Sequence, residues 1–313
     1  VDYDGTASSL LAEPQRTNLL TYSEDLTDTY WNKLDGLTVS SLAGGLSPDG
    51  LTNSDLITIN NGRLNKDISV SNSTAYTLTA YFKGTVGETI NIDLGASTRL
   101  ITLTGLWQRE SINLTTTSTF IAVNLIDNRS SGTASTVEVW GAQVEEGSYA
   151  TSYIPTDGGT VTRVQDQYSK TGISNLINSE EGVLFLEMAA LADDGTDRKF
   201  SISDGTSSNV ISIIYRPTSN QVRGAIITGG VNQVLLSFVV ADSTAFNKIA
   251  FKWKAGDFAL WIGGVEVVTS SSGSIPTGLN KISNDNGGGS FYMYSKVKQL
   301  QVFKTALTDS ELA

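Results

Sequence analysis

The feature that most constrains this chain is a succession of short apolar runs closed by glycine, asparagine, aspartate or serine. They recur about every 8–12 residues, the spacing of strands in a sandwich or barrel. In the first half they are Leu37–Leu42, Leu56–Ile59, Leu64–Val70, Ala75–Lys83, Thr89–Leu94, Leu100–Leu103, Trp107–Leu114, Phe120–Ile126 and Val137–Val144. Tyr76, Leu78, Ala80 and Phe82 alternate with Thr77, Thr79, Tyr81 and Lys83, so one face of that strand is buried and the other wet. In the second half, Val183–Met188, Phe200–Ser203, Val210–Tyr215, Gln221–Ile227, Gln233–Val239 and Lys248–Lys254 follow the same rule. Phe258–Ile262 and Val265–Val268 flank Gly263-Gly264, a hairpin signal because both central positions of a type I′ turn need positive φ. Phe291–Tyr294 and Val297–Phe303 complete the set. No long amphipathic helix interrupts it. One helical signal stands at the end, where Thr308 and Glu311 are spaced as a capping box.

Between the two sets lies Thr136–Asp166. Its alternation stops at Glu145, Glu146 and Gly147, Pro155 and Asp157-Gly158-Gly159 break it, and Thr160–Val164 alternates again. A length of 313 residues suits about two domains. The expected fold is therefore all-β: two tandem antiparallel β-sandwich (jelly-roll) domains. An N-terminal arm covers 1–16, the first sandwich 17–152, a linker 153–167 and the second sandwich 168–313.

Absences exclude most chemistry. The chain has no histidine and no cysteine, which removes Ser-His-Asp and Cys-His machinery, zinc sites built on those ligands, and disulfides. A net charge of −11 with no basic run argues against nucleic acid. No apolar run approaches the roughly 18 residues of a membrane-spanning helix, so no membrane insertion is expected. Charged residues make up only 17%, so Ser, Thr, Asn and Gly must build much of the surface. The chain starts at Val1 without methionine and stops at Ala313 inside a helical pattern, as a piece of a longer or processed protein would.

Acid-only glycan hydrolysis needs two carboxylates close together, which on a strand means i and i+2 or i+4. Glu187 is the acid of its strand, and Ala189 and Leu191 stand where a partner would be. Asp193, Asp194 and Asp197, with Asn284, Asp285 and Asn286, offer oxygen ligands of the kind calcium takes, while their Gly-containing stretch also reads as a turn. Trp107, Trp140, Trp253 and Trp261 read as core aromatics. Trp31 beside Tyr30, and Tyr292 and Tyr294 after Gly287-Gly288-Gly289, are the aromatics placed to stack on a sugar ring.

EPQRTNLLTYSEDL, YWNK, TAYTLTAYFKG, LWQRESINLT and VEVWGAQVEEGSYATSYIPT resemble the carbohydrate-binding-like jelly roll of phage tail and other virion proteins, over Glu13–Thr156. FKWKAGDFALWIGGVEVV and VKQLQVFKTALTDSELA resemble the laminin-G-like, concanavalin-A-like jelly roll, over Tyr168–Ala313. Paired aspartates often hold calcium in the last strand of related carbohydrate-binding jelly rolls. Gly141-Ala142-Gln143-Val144 stands there in this chain, without a carboxylate. The resemblance implies a non-catalytic structural virion protein, a tail or head fibre-like appendage. Its partners would be host cell-surface polysaccharide and other virion proteins. Phage fibres are commonly homotrimers, and that expectation carries over, although no heptad run is present. The alternatives are a secreted adhesin or a carbohydrate-binding module of a larger enzyme, and a particle protein with no ligand.

Overall fold

The computed structural model describes residues 2–3 and 8–313. It is all-β and antiparallel throughout its sheets, in two compact units. Gln15–Val164 forms one unit, and the segment ending at Pro14 joins Gln165–Ala313 in the other.

In the Gln15–Val164 unit, one five-stranded sheet runs in the order Gln108–Thr115, Ala75–Lys83, Thr136–Glu146, Thr52–Thr58, Thr38–Leu46. The other runs Ser97–Thr102, Thr89–Leu94, Phe120–Asp127, Arg63–Ser69, Asn32–Leu34. The apolar half of the alternation read in Ala75–Lys83 is realised: Tyr76, Leu78, Ala80 and Phe82 enter the core with Ile57, Ile90, Val137 and Val139, while on the side expected to be wet Thr77 and Thr79 are buried too. Each fully buried Leu, Ile or Phe contributes about 1.5–3 kcal/mol. In a chain without cysteine, such burial has to stabilise each sandwich without disulfides.

A buried polar network closes this unit. Asn18, fully buried, donates to the carbonyls of Ala142 (3.1 Å) and Ile154 (2.9 Å) and accepts from the amides of Leu20 and Val144. Gln143 accepts from the Ile154 amide and donates to Glu145, whose carboxylate takes the amide and hydroxyl of Thr151. The Ser23 hydroxyl accepts from the Thr156 amide at 2.7 Å. Every member is paired, as a buried network must be to stabilise. The stretch from Trp140 to Thr156 therefore works as a clasp tying the last long strand to the segment after Arg16.

The second unit packs a seven-stranded sheet on a six-stranded one. The first runs Asp2–Tyr3, Ser8–Ala12, Ser295–Phe303, Glu181–Ala190, Asn247–Lys254, Phe258–Ile262, Val265–Ser270. The second runs Ser169–Thr171, Lys281–Ser283, Arg198–Ser203, Val210–Tyr215, Gln221–Thr228, Val231–Val239. Leu184, Leu186, Ile211, Ile213, Phe251 and Trp253 fill the space between. The Gly-Gly hairpin forms with φ of +58° and +81°. The capping box also forms: Glu311 accepts from the amide (2.8 Å) and hydroxyl (2.7 Å) of Thr308 at the start of Asp309–Leu312.

The unit boundaries differ from the sequence expectation. The expected arm at 1–16 contains residues 1 and 4–7, which lie outside the described residues. Its described part includes a strand: Leu10 pairs with Val297 and Ala12 with Ser295, so Leu10–Ala12 covers the backbone groups along one side of Ser295–Val297. Arg16–Asn18 pairs with Val161–Arg163, inside the span expected to be linker. Tyr153–Thr156 is held by the polar clasp instead of running free. Both strand pairings join residues more than 140 apart in the sequence, which no local pattern reports.

Candidate functional site

The strand that turns Leu78, Ala80 and Phe82 to the core carries Thr77, Thr79, Tyr81 and Lys83 on its other side, where Thr77 and Thr79 are covered and Tyr81 and Lys83 are partly exposed. Strand register sets their neighbours. Glu138 lies opposite Lys83 on one side and Leu56 on the other, and Trp140 lies opposite Tyr81, which lies opposite Arg109. Two rows result on the outer face: Leu56, Glu138, Lys83, and Trp140, Tyr81, Arg109.

The Lys83 ammonium is 3.0 Å from Glu138 Oε1 and 5.8 Å from the centre of the Trp107 ring. The Trp107 indole N–H is engaged, donating to the Leu46 carbonyl at 2.8 Å. The Arg109 guanidinium stands 5.5 Å from the Tyr81 ring centre and donates to Thr79 Oγ1 at 3.1 Å. Tyr81 and Trp140 pack at 5.3 Å, and Trp140 and Tyr153 at 4.7 Å, both tilted. A β-bulge between Trp140 and Gln143 makes room for this stack. Gly141 sits in it at φ +67°, and a Cβ there would come within 3.3 Å of Tyr81 and 3.4 Å of Tyr153.

Three polar atoms of this face, Glu138 Oε2, Trp140 Nε1 and Arg109 Nε, are buried with no hydrogen-bond partner among the described residues. Such atoms carry a desolvation cost of about 1–3 kcal/mol each until a partner arrives. A cavity of about 240 Å³ opens beside the Glu138 row, between Leu56, Lys83, Thr85, Gly105 and Thr136. The face combines the partly exposed rings of Tyr81 and Trp107 with a carboxylate, an ammonium and a guanidinium. That is a chemistry for stacking on a flat C–H surface and bonding its hydroxyls.

The expectation of a buried aromatic holds for Trp140, which is 5% exposed and packed between Tyr81 and Tyr153, whereas Trp107 is partly exposed. Strand alternation already set Tyr81 and Lys83 opposite the apolar side, but nothing local brought Arg109 and Glu138 beside them.

The structure corrects Trp31. Its ring is 2% exposed in the core, with the indole N–H donating to the Tyr22 carbonyl, which leaves no face for a sugar. Tyr292 and Tyr294 are half-buried and stacked at 6.3 Å, and the Tyr294 hydroxyl donates to Gln165 Oε1 at 2.7 Å. Asp193, Asp194 and Asp197 are not brought together as a cation site. Asp193 accepts from the Ser219 hydroxyl and the Asn220 amide, Asp194 pairs with Arg198 at 2.5 Å, and Asp197 pairs with Arg216 at 2.6 Å. Asp285 is spent on the Ser283 hydroxyl and the Gly287 amide. Among the described residues no three acidic side chains converge.

No family model and no curated protein matches the chain in sequence. Solved structures with some likeness include a leech intramolecular trans-sialidase complexed with 2,7-anhydro-Neu5Ac. It is 17% identical over 43% of this chain, with a TM-score of 0.37, and the match spans only 23% of that enzyme's length. A CBM4 structure is 18% identical over 37% of this chain and 86% of its own, with a TM-score of 0.30. Domains LG4-5 of the mouse laminin α1 chain are 9% identical over 88% of this chain and 90% of their own, with a TM-score of 0.31. Likenesses this slight carry no ligand or activity over to the chain.

The second unit also holds an apolar cavity of about 250 Å³ between Leu10, Phe200, Ile282, Met293, Val297 and Leu300. The Ser295 hydroxyl beside it lacks a partner, but no set of charged groups converges there as on the Glu138 face.

Proposed function

We propose that this chain is a structural, non-catalytic virion protein, a tail or head fibre-like component that attaches to host-surface glycan through the first sandwich. The observation that supports attachment most is the outer face of Gln108–Thr115, Ala75–Lys83 and Thr136–Glu146, where three unpartnered polar atoms lie beside the partly exposed rings of Tyr81 and Trp107. A pyranose ring packs its C–H face on Trp107 or Tyr81, as amphipathic aromatics allow. A small rotation of the half-exposed Glu138 or Arg109 side chain presents Oε2 or Nε to a sugar hydroxyl. The virion assignment rests on the resemblance of the first-unit strings, Trp140–Thr156 above all, to the jelly roll of phage tail and other virion proteins, and it takes other virion proteins and a homotrimer as partners. No cofactor enters this reading, and the location it implies is the virion.

The test is a glycan-array and whole-cell binding assay on the 313-residue chain, with Glu138→Gln and Arg109→Gln beside it. Saturable binding to a defined glycan, weakened at least about tenfold in either variant, supports attachment through this face. A folded sample that binds nothing across a broad array sinks attachment. Immunogold labelling of purified particles tests the virion half, and unlabelled particles sink it. Light scattering reads the oligomer.

A further inference from the structure

The outer face of the six-stranded sheet in the second unit carries a different chemistry. Phe200, Ile213, Gly224 and Leu236 form its inner row, so the neighbouring row Lys199, Ile214, Arg223, Ser237 points outward. Arg216 has the same parity as Ile214 and bonds the same-parity Asp197 through Nη1 at 2.6 and 2.7 Å. Tyr292 is bridged to Lys199 at the end of the row.

Three cations therefore share one face with one nearby carboxylate, which is committed to Arg216. Arg223 Nε donates to Ser237 Oγ at 2.7 Å. Neither Arg223 nor Lys199 has an ion-pair partner among the described residues. The Lys199 ammonium lies over the Phe291 ring, 4.6 Å from its centre. Arg216 Nε is buried without a partner. Burial lowers the Lys199 ammonium and the Arg223 guanidinium below their ordinary values, and the other cations of the face add to the effect. On a chain of net charge −11, a half-buried, locally positive face runs against the general trend. A neutral sugar leaves that repulsion in place, whereas a carboxylate or sulfate relieves it with charge-assisted hydrogen bonds.

We propose that this face binds acidic carbohydrate, with carboxylate or sulfate groups held by Lys199 and Arg223 and a sugar ring against Tyr292. It is a second site, separate from the Glu138 face, and neutral-glycan binding that fails in Glu138→Gln leaves it untouched.

The test uses the whole chain against polygalacturonate, heparin, dextran and an oligo-dT strand. Saturable binding of polygalacturonate or heparin is expected, weakened at least about tenfold in Lys199→Gln/Arg223→Gln. Binding of polygalacturonate assigns the carboxylate, and binding of heparin alone assigns the sulfate. Lys254→Gln/Lys298→Gln removes the same charge elsewhere in the unit and should bind as the parent does. Lys199→Gln alone serves if the double variant fails to fold, and Lys199→Arg should retain binding. No binding of either acidic polymer, equal binding of dextran or oligo-dT, or equal loss in the Lys254/Lys298 variant overturns the proposal.

Discussion

Lys83 Nζ lies 3.0 Å from Glu138 Oε1 across adjacent strands, while Oε2 of the same carboxylate is buried without a partner. An isolated, partly exposed pair of this kind contributes about 0–1 kcal/mol to stability. Glu138→Gln should therefore leave the urea midpoint nearly unchanged and yet weaken glycan affinity at least about tenfold. Titration calorimetry with an array-positive glycan, beside a denaturation curve, separates the two. A large stability loss with intact binding would make the carboxylate structural.

Asn18 makes four hydrogen bonds from a fully buried position. Asn18→Ala strands two carbonyls and two amides, and should cost about 3 kcal/mol or more in the first unit. Urea unfolding followed by tryptophan fluorescence reads this. A cost under about 1 kcal/mol would show that water replaces the side chain and that the clasp contributes little.

Gly141 combines φ +67° with aromatic rings 3.3 and 3.4 Å from an added Cβ. Gly141→Ala should destabilise by about 1–2 kcal/mol from the left-handed backbone alone, and displacing Tyr81 should also weaken binding at the proposed glycan face. Gly159 is the control, because nothing lies within 4 Å of its added Cβ and its φ is not in the left-handed region. Gly159→Ala is expected to melt within a degree or two of the parent.

Stability should be insensitive to pH between about 5 and 8, because no histidine titrates there. Acid is different. The Arg129 guanidinium hydrogen-bonded to Asp127 holds that carboxyl below the ordinary range. The Thr244 hydroxyl does the same for Asp242, and the Thr308 amide for Glu311. A depressed folded value means the stabilisation is complete above the unfolded pKa, about 3.9 for Asp and 4.3 for Glu. It is lost as pH falls through the folded values. Melting temperatures should stay flat from pH 8 to 5 and drop below about pH 4. Arg129→Gln should reduce the drop. A transition near pH 6.5 would contradict this account.

Strand periodicity, the Gly-Gly hairpin and the Thr308–Glu311 capping box were legible because each depends on neighbours a few residues apart. The proposed glycan face was legible only in part. Alternation set Tyr81 and Lys83 opposite the apolar side of their strand, but a single strand does not say which strands lie beside it. Trp31 shows the limit from the other side: a Tyr-Trp pair in a loop-like segment reads as exposed, and its ring fills the core.

The amino-acid order by itself determined that this chain is all-β, that histidine and cysteine chemistry is closed to it, and which side of each regular strand is apolar. Those properties follow from residue type and from the two-residue period of a strand. Only the tertiary structure decided that Ser8–Ala12 extends the second sandwich, that Asn18 fastens Ile154, and that Asp193, Asp194 and Asp197 point to separate partners. It also decided that Glu138, Lys83, Tyr81 and Arg109 meet on one surface. Those are matters of register between distant segments. Many registers satisfy the same alternation, and the choice among them is made by the packing and hydrogen bonding of the whole sheet at once.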